Sequence, residues 1–80
     1  MEPSNTTVTI YGQQYTVRSD DDPAHVQRVA SYVDERMREV ARASSQVTSV
    51  RVAILAALNI ADELFRERET KDEGSEQLRA

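Results

Sequence analysis

The chain has no cysteine and only one histidine. The first absence excludes disulfides and thiolate metal sites, and the second excludes a histidine cluster. No block of basic residues is present either. Ten Lys and Arg stand against fourteen Asp and Glu, spread along both halves, for a formal net charge of −4. Binding nucleic acid through the phosphate backbone requires a concentrated positive patch, so this class of partner is disfavoured. The longest unbroken apolar run, residues 52–58, falls far short of the ~20 residues that span a bilayer. The opening MEPSNTT lacks the basic start and apolar core of a signal peptide, so the expected location is the cytoplasm. There is no nucleophile–base pair, phosphate loop or metal-ligand set. The sequence therefore predicts a protein that is not an enzyme and uses no cofactor.

At 80 residues, the chain is one small domain. A domain of this size buries only about 60% of the surface its unfolded form exposes. Small domains commonly rely on a disulfide, a metal or oligomerisation for support. With no cysteine and one histidine, oligomerisation remains. The stretch VAILAALNIADELF at residues 52–65 reads as a helix whose first half is apolar on almost every side. A helix on the surface of a monomer carries an apolar stripe rather than a jacket. Other copies of the chain are expected to cover it.

Two short Thr/Val/Ile/Tyr-rich segments, residues 6–11 and 14–18, alternate as strands do. Gly12-Gln13 between them suits a type II′ hairpin turn. The face formed by Val8, Ile10, Tyr15 and Val17 is expected to pack on a helix, because a bare hairpin is marginal in water. Asp22-Pro23 marks a helix start, with the carboxylate as cap and proline at the first helical position. Val26, Val29, Val33, Met37 and Val40 then recur at steps of three or four and predict one apolar stripe over residues 23–43. Asp34 and Arg38 are spaced for a helix pair. A second helix begins near Ser49, with Thr48 as cap and Val47 and Val52 in the positions of a hydrophobic staple. Its expected oligomer interface is Ile54, Leu55, Ala57, Leu58, Ala61, Leu64 and Phe65. After Phe65 the composition turns charged with no apolar seam over residues 66–73, and Gly74-Ser75 is expected to end order.

The fold class is thus α+β: an N-terminal β-hairpin, a first amphipathic helix, and a longer second helix that oligomerises as a coiled coil or helical bundle. The hairpin and first helix form a head over residues 1–46. The oligomerisation helix covers residues 47–73, and a disordered tail covers residues 74–80. Asn59 has two readings, a polar residue on a half-exposed face or a buried amide that fixes helix register. Tyr11 and Tyr15 belong either to the core or to a partner surface.

The residues 52–65 segment, with Val8-Thr9-Ile10-Tyr11-Gly12 and Ala30-Ser31-Tyr32-Val33-Asp34-Glu35-Arg36-Met37 in the same order and spacing, resembles the ZapA family of bacterial cell-division proteins. The resemblance implies a small head, second helices that pair into dimers, and dimers that can join as tetramers. It also implies binding to FtsZ, the polymer of the division ring. A multivalent particle of this kind cross-links or bundles protofilaments at mid-cell and uses no cofactor. In some relatives, basic hairpin residues contact FtsZ. The matching positions here are Gln13 and Thr16, both uncharged, and Arg18 just beyond is the only basic residue of the hairpin. Gln13, Thr16 and Arg18 are therefore the candidate partner-binding residues. The chain also departs from members that carry a long C-terminal coiled coil. An alternative reading is a small dimeric chaperone or regulator of the same shape with a different client.

Overall fold

The computed structural model describes residues 2–44 and 48–79, with side chains described up to residue 70. The staple position Val47 lies outside these residues. Strand β1 (Ser4–Ile10) pairs antiparallel with β2 (Gln13–Ser19), and helices α1 (Pro23–Ala43) and α2 (Ser49–Arg79) follow.

The hairpin turn differs from the one expected. The register pairs Ile10 with Gln13, so the two connecting residues are Tyr11 and Gly12 rather than Gly12 and Gln13. Both have positive φ, 51° and 80°. Positive φ at both central residues is the signature of type I′, whose twist matches that of the flanking strands. A tyrosine adopts this region at a cost, and a contact from α1 described below offsets it.

Pairing Thr6 with Val17 and Val8 with Tyr15 puts these four on one face with Ile10 and Gln13. The opposite face carries Asn5, Thr7 and Thr9 against Arg18, Thr16 and Gln14. Helix α1 packs along β1 and buries Val8 and Thr6. The expected four-residue apolar face is only half covered, because Tyr15 and Val17 on β2 stay 49% and 37% exposed. Along the free edge of β1, the Gln27 side-chain amide donates to the Thr7 carbonyl at 2.9 Å.

Helix α1 begins as the sequence indicates. The Asp22 carboxylate accepts the Ala24 N–H at 3.0 Å, and Pro23 occupies the first helical turn. Its buried stripe is Val26, Ala30, Met37 and Val40, with Val33 partly buried. Val29 is not part of it and stands half exposed. It lies one residue, and so about 100° of helix rotation, from Ala30, which takes the inward position.

Thr48 caps α2, its Oγ1 accepting the Arg51 N–H at 3.2 Å. Val52 and Ala56 are almost fully buried against Met37 and Val40, which ties α2 to α1. A polar cluster reinforces the contact further along. Arg36 Nε lies 2.8 Å from Glu63 Oε1, and the Tyr32 hydroxyl also meets the Glu63 carboxylate. The Arg36 guanidinium sits over the Tyr32 ring at 4.7 Å. The hydrogen bond to Tyr32 first, and those to Glu39 and the nearby carboxylate charges next, push the Arg36 pKa further above its already high value.

Helix α2 runs on through Gly74 and Ser75 to Arg79 as backbone, where the sequence reading places the start of a disordered tail. One glycine costs an exposed helix only about 1 kcal/mol relative to alanine, which does not by itself impose a stop.

Candidate functional site

Among the described residues, no group of three or more His, Cys, Asp or Glu is arranged to hold a metal ion. No helix there is long and apolar enough to cross a membrane. The features that stand out are surfaces.

The first is the far side of α2. With 3.6 residues per turn, Ile54, Ala57, Leu58, Ala61, Leu64 and Phe65 fall opposite Val52 and Ala56, the residues that face α1. In the single chain this side is bare: Ile54, Leu58 and Phe65 are all more than half exposed, and Leu58 reaches 60%. Leu55, included in the expected interface, does not join them. It turns toward α1 and packs against the cluster of Met37, Val40, Val52 and Ala56. In a helix apolar on nearly every side, periodicity alone cannot tell which side serves the chain's own core. Val50, outside the expected interface, extends the bare side toward the helix start. Asn59 lies on the same side as Leu55, beside Val40 and Ala43 of α1 and off the bare stripe.

The second feature is a groove of about 550 Å³ between β2 and the start of α2, lined by Ile10, Tyr15, Val17, Met37, Val50 and Ala53 among others. Among the described residues, no charged side chain lines it.

The third is the hairpin surface. Gln13, Thr16 and Arg18 are all exposed, but strand alternation separates them. Thr16 and Arg18 share the outer polar face, whereas Gln13 lies on the groove side and accepts a hydrogen bond from the Tyr15 hydroxyl at 3.0 Å. The turn beside them is fastened from α1. Asp34 Oδ1 accepts the Tyr11 N–H at 2.7 Å, and Arg38 Nε donates to Asp34 Oδ2 at 3.0 Å. The backbone N–H of Tyr11 first, then Arg38, hold the Asp34 carboxyl below its usual pKa of 3.8.

A hairpin-and-helix head that carries a long helix with an uncovered apolar side defines a class of small α+β proteins suited to association with other chains. The family model for the cell division protein ZapA matches residues 6–80. The cell division protein ZapA of Halalkalibacterium halodurans is 43% identical over 79% of this chain and 69% of its own. That of Shouchella clausii is 47% identical over 75% of this chain and 77% of its own. A structure described as a ZapA mutant dimer from Geobacillus stearothermophilus covers 100% of this chain and 93% of its own, with TM-score 0.74 and 32% identity. The chain belongs to the ZapA family of cell-division proteins. The family relation and the dimeric relative support self-association.

Proposed function

We propose that the chain is a non-enzymatic adaptor that binds FtsZ polymers and cross-links or bundles their protofilaments, working in the cytoplasm at the mid-cell division site. The observation that carries this reading is the bare apolar side of α2 in a chain of this family. Ile54, Ala57, Leu58, Ala61, Leu64 and Phe65 form the contact with a second copy, and two dimers can join as a tetramer. Pairing displays at least two identical heads on one particle. Weak contacts between head and filament then act together, because the second is made at high effective concentration. A single chain could bind a filament but could not join two. On each head, the outer hairpin face with Thr16 and Arg18 is assigned to the filament. Arg18 is the only charge of that face and suits an acidic surface.

The test is co-sedimentation. FtsZ from the same organism is polymerised with GTP, with and without the chain. The chain is expected to pellet only with polymer and to raise light scattering. If it stays in the supernatant over a broad concentration range at low and moderate salt, the assignment of FtsZ as partner fails.

A further inference from the structure

Two contacts of different kinds tie α2 to α1. The first is apolar, with Val52 and Ala56 buried against Met37 and Val40. Val52 and Ala56 are about one turn apart, so the buried side of this contact covers only ~6 Å of the helix axis. Such a contact fixes where the helices touch but constrains their crossing angle weakly. The second is polar and lies at Glu63, ~10 Å beyond Ala56 along α2. Its carboxylate meets two groups of α1, Arg36 Nε at 2.8 Å and the Tyr32 hydroxyl. Past Glu63, the polar contacts among the described residues stay within α2. Arg66 pairs with Asp62 at 2.8 Å, and the Thr70 hydroxyl donates to the Arg66 carbonyl at 3.0 Å.

We propose that Glu63 is a positioning residue. The clasp it makes with Arg36 and Tyr32 sets the angle at which α2 leaves the head, and with it the direction in which a bundling particle presents its heads. This rests on the cross-linking reading above and names the contact that gives the particle its geometry.

Three observations support the clasp as an orienting device. First, Arg36 is fixed on its own helix before it meets α2. Its Nη2 donates to the Tyr32 hydroxyl at 2.9 Å, its Nη1 donates to Glu39 at 2.8 Å, and its guanidinium lies over the Tyr32 ring at 4.7 Å. A group held from three sides presents Nε at a set point and loses little freedom on meeting its partner. Second, the clasp is partly wet, with the Arg36 and Glu63 side chains 25% and 41% exposed. Exposed ion pairs add little to stability, whereas a carboxylate engaged by two groups of fixed direction is geometrically specific. The contact therefore suits orientation better than it suits holding the fold together. Third, the clasp has leverage. From Glu63 to its end at Arg79, α2 runs on for ~24 Å. A change of about 10° at the clasp moves that end by about 4 Å.

The chain has no cysteine, which makes the test direct. Ser31→Cys and Glu69→Cys, both exposed, carry one spin label on α1 and one on α2 beyond the clasp. Doubly labelled chains are diluted in excess unlabelled chain with the same residue at position 63. Pulsed electron paramagnetic resonance then reads the distance between labels within one chain. With Glu63 present, one narrow distribution is expected. In Glu63→Ala it should widen about twofold, because the remaining buried contact spans only about one turn. The far-UV spectrum, oligomer mass and co-sedimentation with FtsZ polymer should stay unchanged, while the light scattering of bundles is lost. Glu63→Gln still offers an acceptor to Arg36 and Tyr32 and should keep both the narrow distribution and the scattering. A narrow, unshifted distribution in Glu63→Ala overturns the proposal. Full bundling by a Glu63→Ala chain whose distribution has widened overturns it as well. If the chain with Glu63 neither pellets with polymer nor raises scattering, the adaptor reading fails, and the distance distribution alone still decides whether the clasp sets the angle.

Discussion

Asp34 reaches back 23 residues to hold Tyr11: its carboxylate accepts the Tyr11 backbone N–H at 2.7 Å and fastens the tip of the hairpin to the middle of α1. Tyr11 stands there in the left-handed region, which non-glycine residues enter at a cost. A helix residue thereby stabilises a turn that the local sequence does not favour, and the tie sets where the hairpin lies on the head.

Removing that tie should make the fold less stable in a pH-dependent way. The Asp34 pKa is lowered in the folded chain, so its contribution is fully present above the unfolded value near 3.8 and is lost as pH falls through the folded value. Asp34→Asn is expected to lower the thermal midpoint at neutral pH. The gap to wild type should narrow below pH ~4, where wild type also loses the charge. Melts followed by circular dichroism from pH 3 to 7 check this. A gap that stays constant over the range would remove the carboxylate's charge from the account.

Gly12 tests the turn from its other side. Nothing lies within 4 Å of a Cβ built there, yet its φ is +80°. Gly12→Ala should therefore cost stability through backbone conformation alone, on the order of 1 kcal/mol. Gly12→Asn should cost less, since asparagine visits this region more readily. Urea unfolding of the two variants gives the comparison.

The two sides of α2 should separate stability from assembly. Val52 is fully buried against α1. Val52→Ala is expected to destabilise the fold by on the order of 2 kcal/mol and to leave the interface residues in place. Leu58 is 60% exposed in the single chain, so Leu58→Asp should leave the head folded but dissociate the oligomer by placing an unpaired charge in the interface. Light scattering coupled to size exclusion measures the second effect, and FtsZ bundling should fail with it. A Leu58→Asp protein that keeps its full mass and still bundles would refute the interface.

Arg18 should separate assembly from partner binding. It sits on the outer hairpin face, away from the groove and from α2. Arg18→Glu is expected to weaken co-sedimentation with FtsZ polymer while the oligomer stays intact. Unchanged pelleting would remove Arg18 from the filament-binding surface.

Much of this architecture is written locally in the sequence. Alternation at residues 6–11 and 14–18, the Asp22-Pro23 cap and the three-and-four spacing of α1 each fix an element through neighbours within one turn. The misreadings are non-local. The turn sits at Tyr11-Gly12 because Asp34, far along the chain, supports it. Val29 fits the helical period as well as Ala30 does, and only the position of β1 against α1 decides between them. Leu55 and Ile54 are adjacent and equally apolar, yet one turns inward and the other outward, because Met37 and Val40 lie on one side only. Tyr15 and Val17 alternate as core residues do, but α1 runs along β1 and leaves them bare. Of the candidate filament-binding residues, strand parity groups Thr16 with Arg18 and puts Gln13 across the sheet from them.

The hydrogen bond from Gln27 to the Thr7 carbonyl has a consequence for solubility. Strands stack without limit only when each unit offers a free edge on both sides, one to receive a neighbour and one to extend the stack. In this hairpin, Ile10 and Gln13 close the turn, so the backbone groups of Thr7 point outward, and Gln27 occupies the acceptor there. The folded hairpin therefore has one acceptor on its β1 edge already occupied, whereas no such contact is made on the β2 edge among the described residues. That asymmetry works against open-ended fibre growth in a protein whose family relation supports self-association.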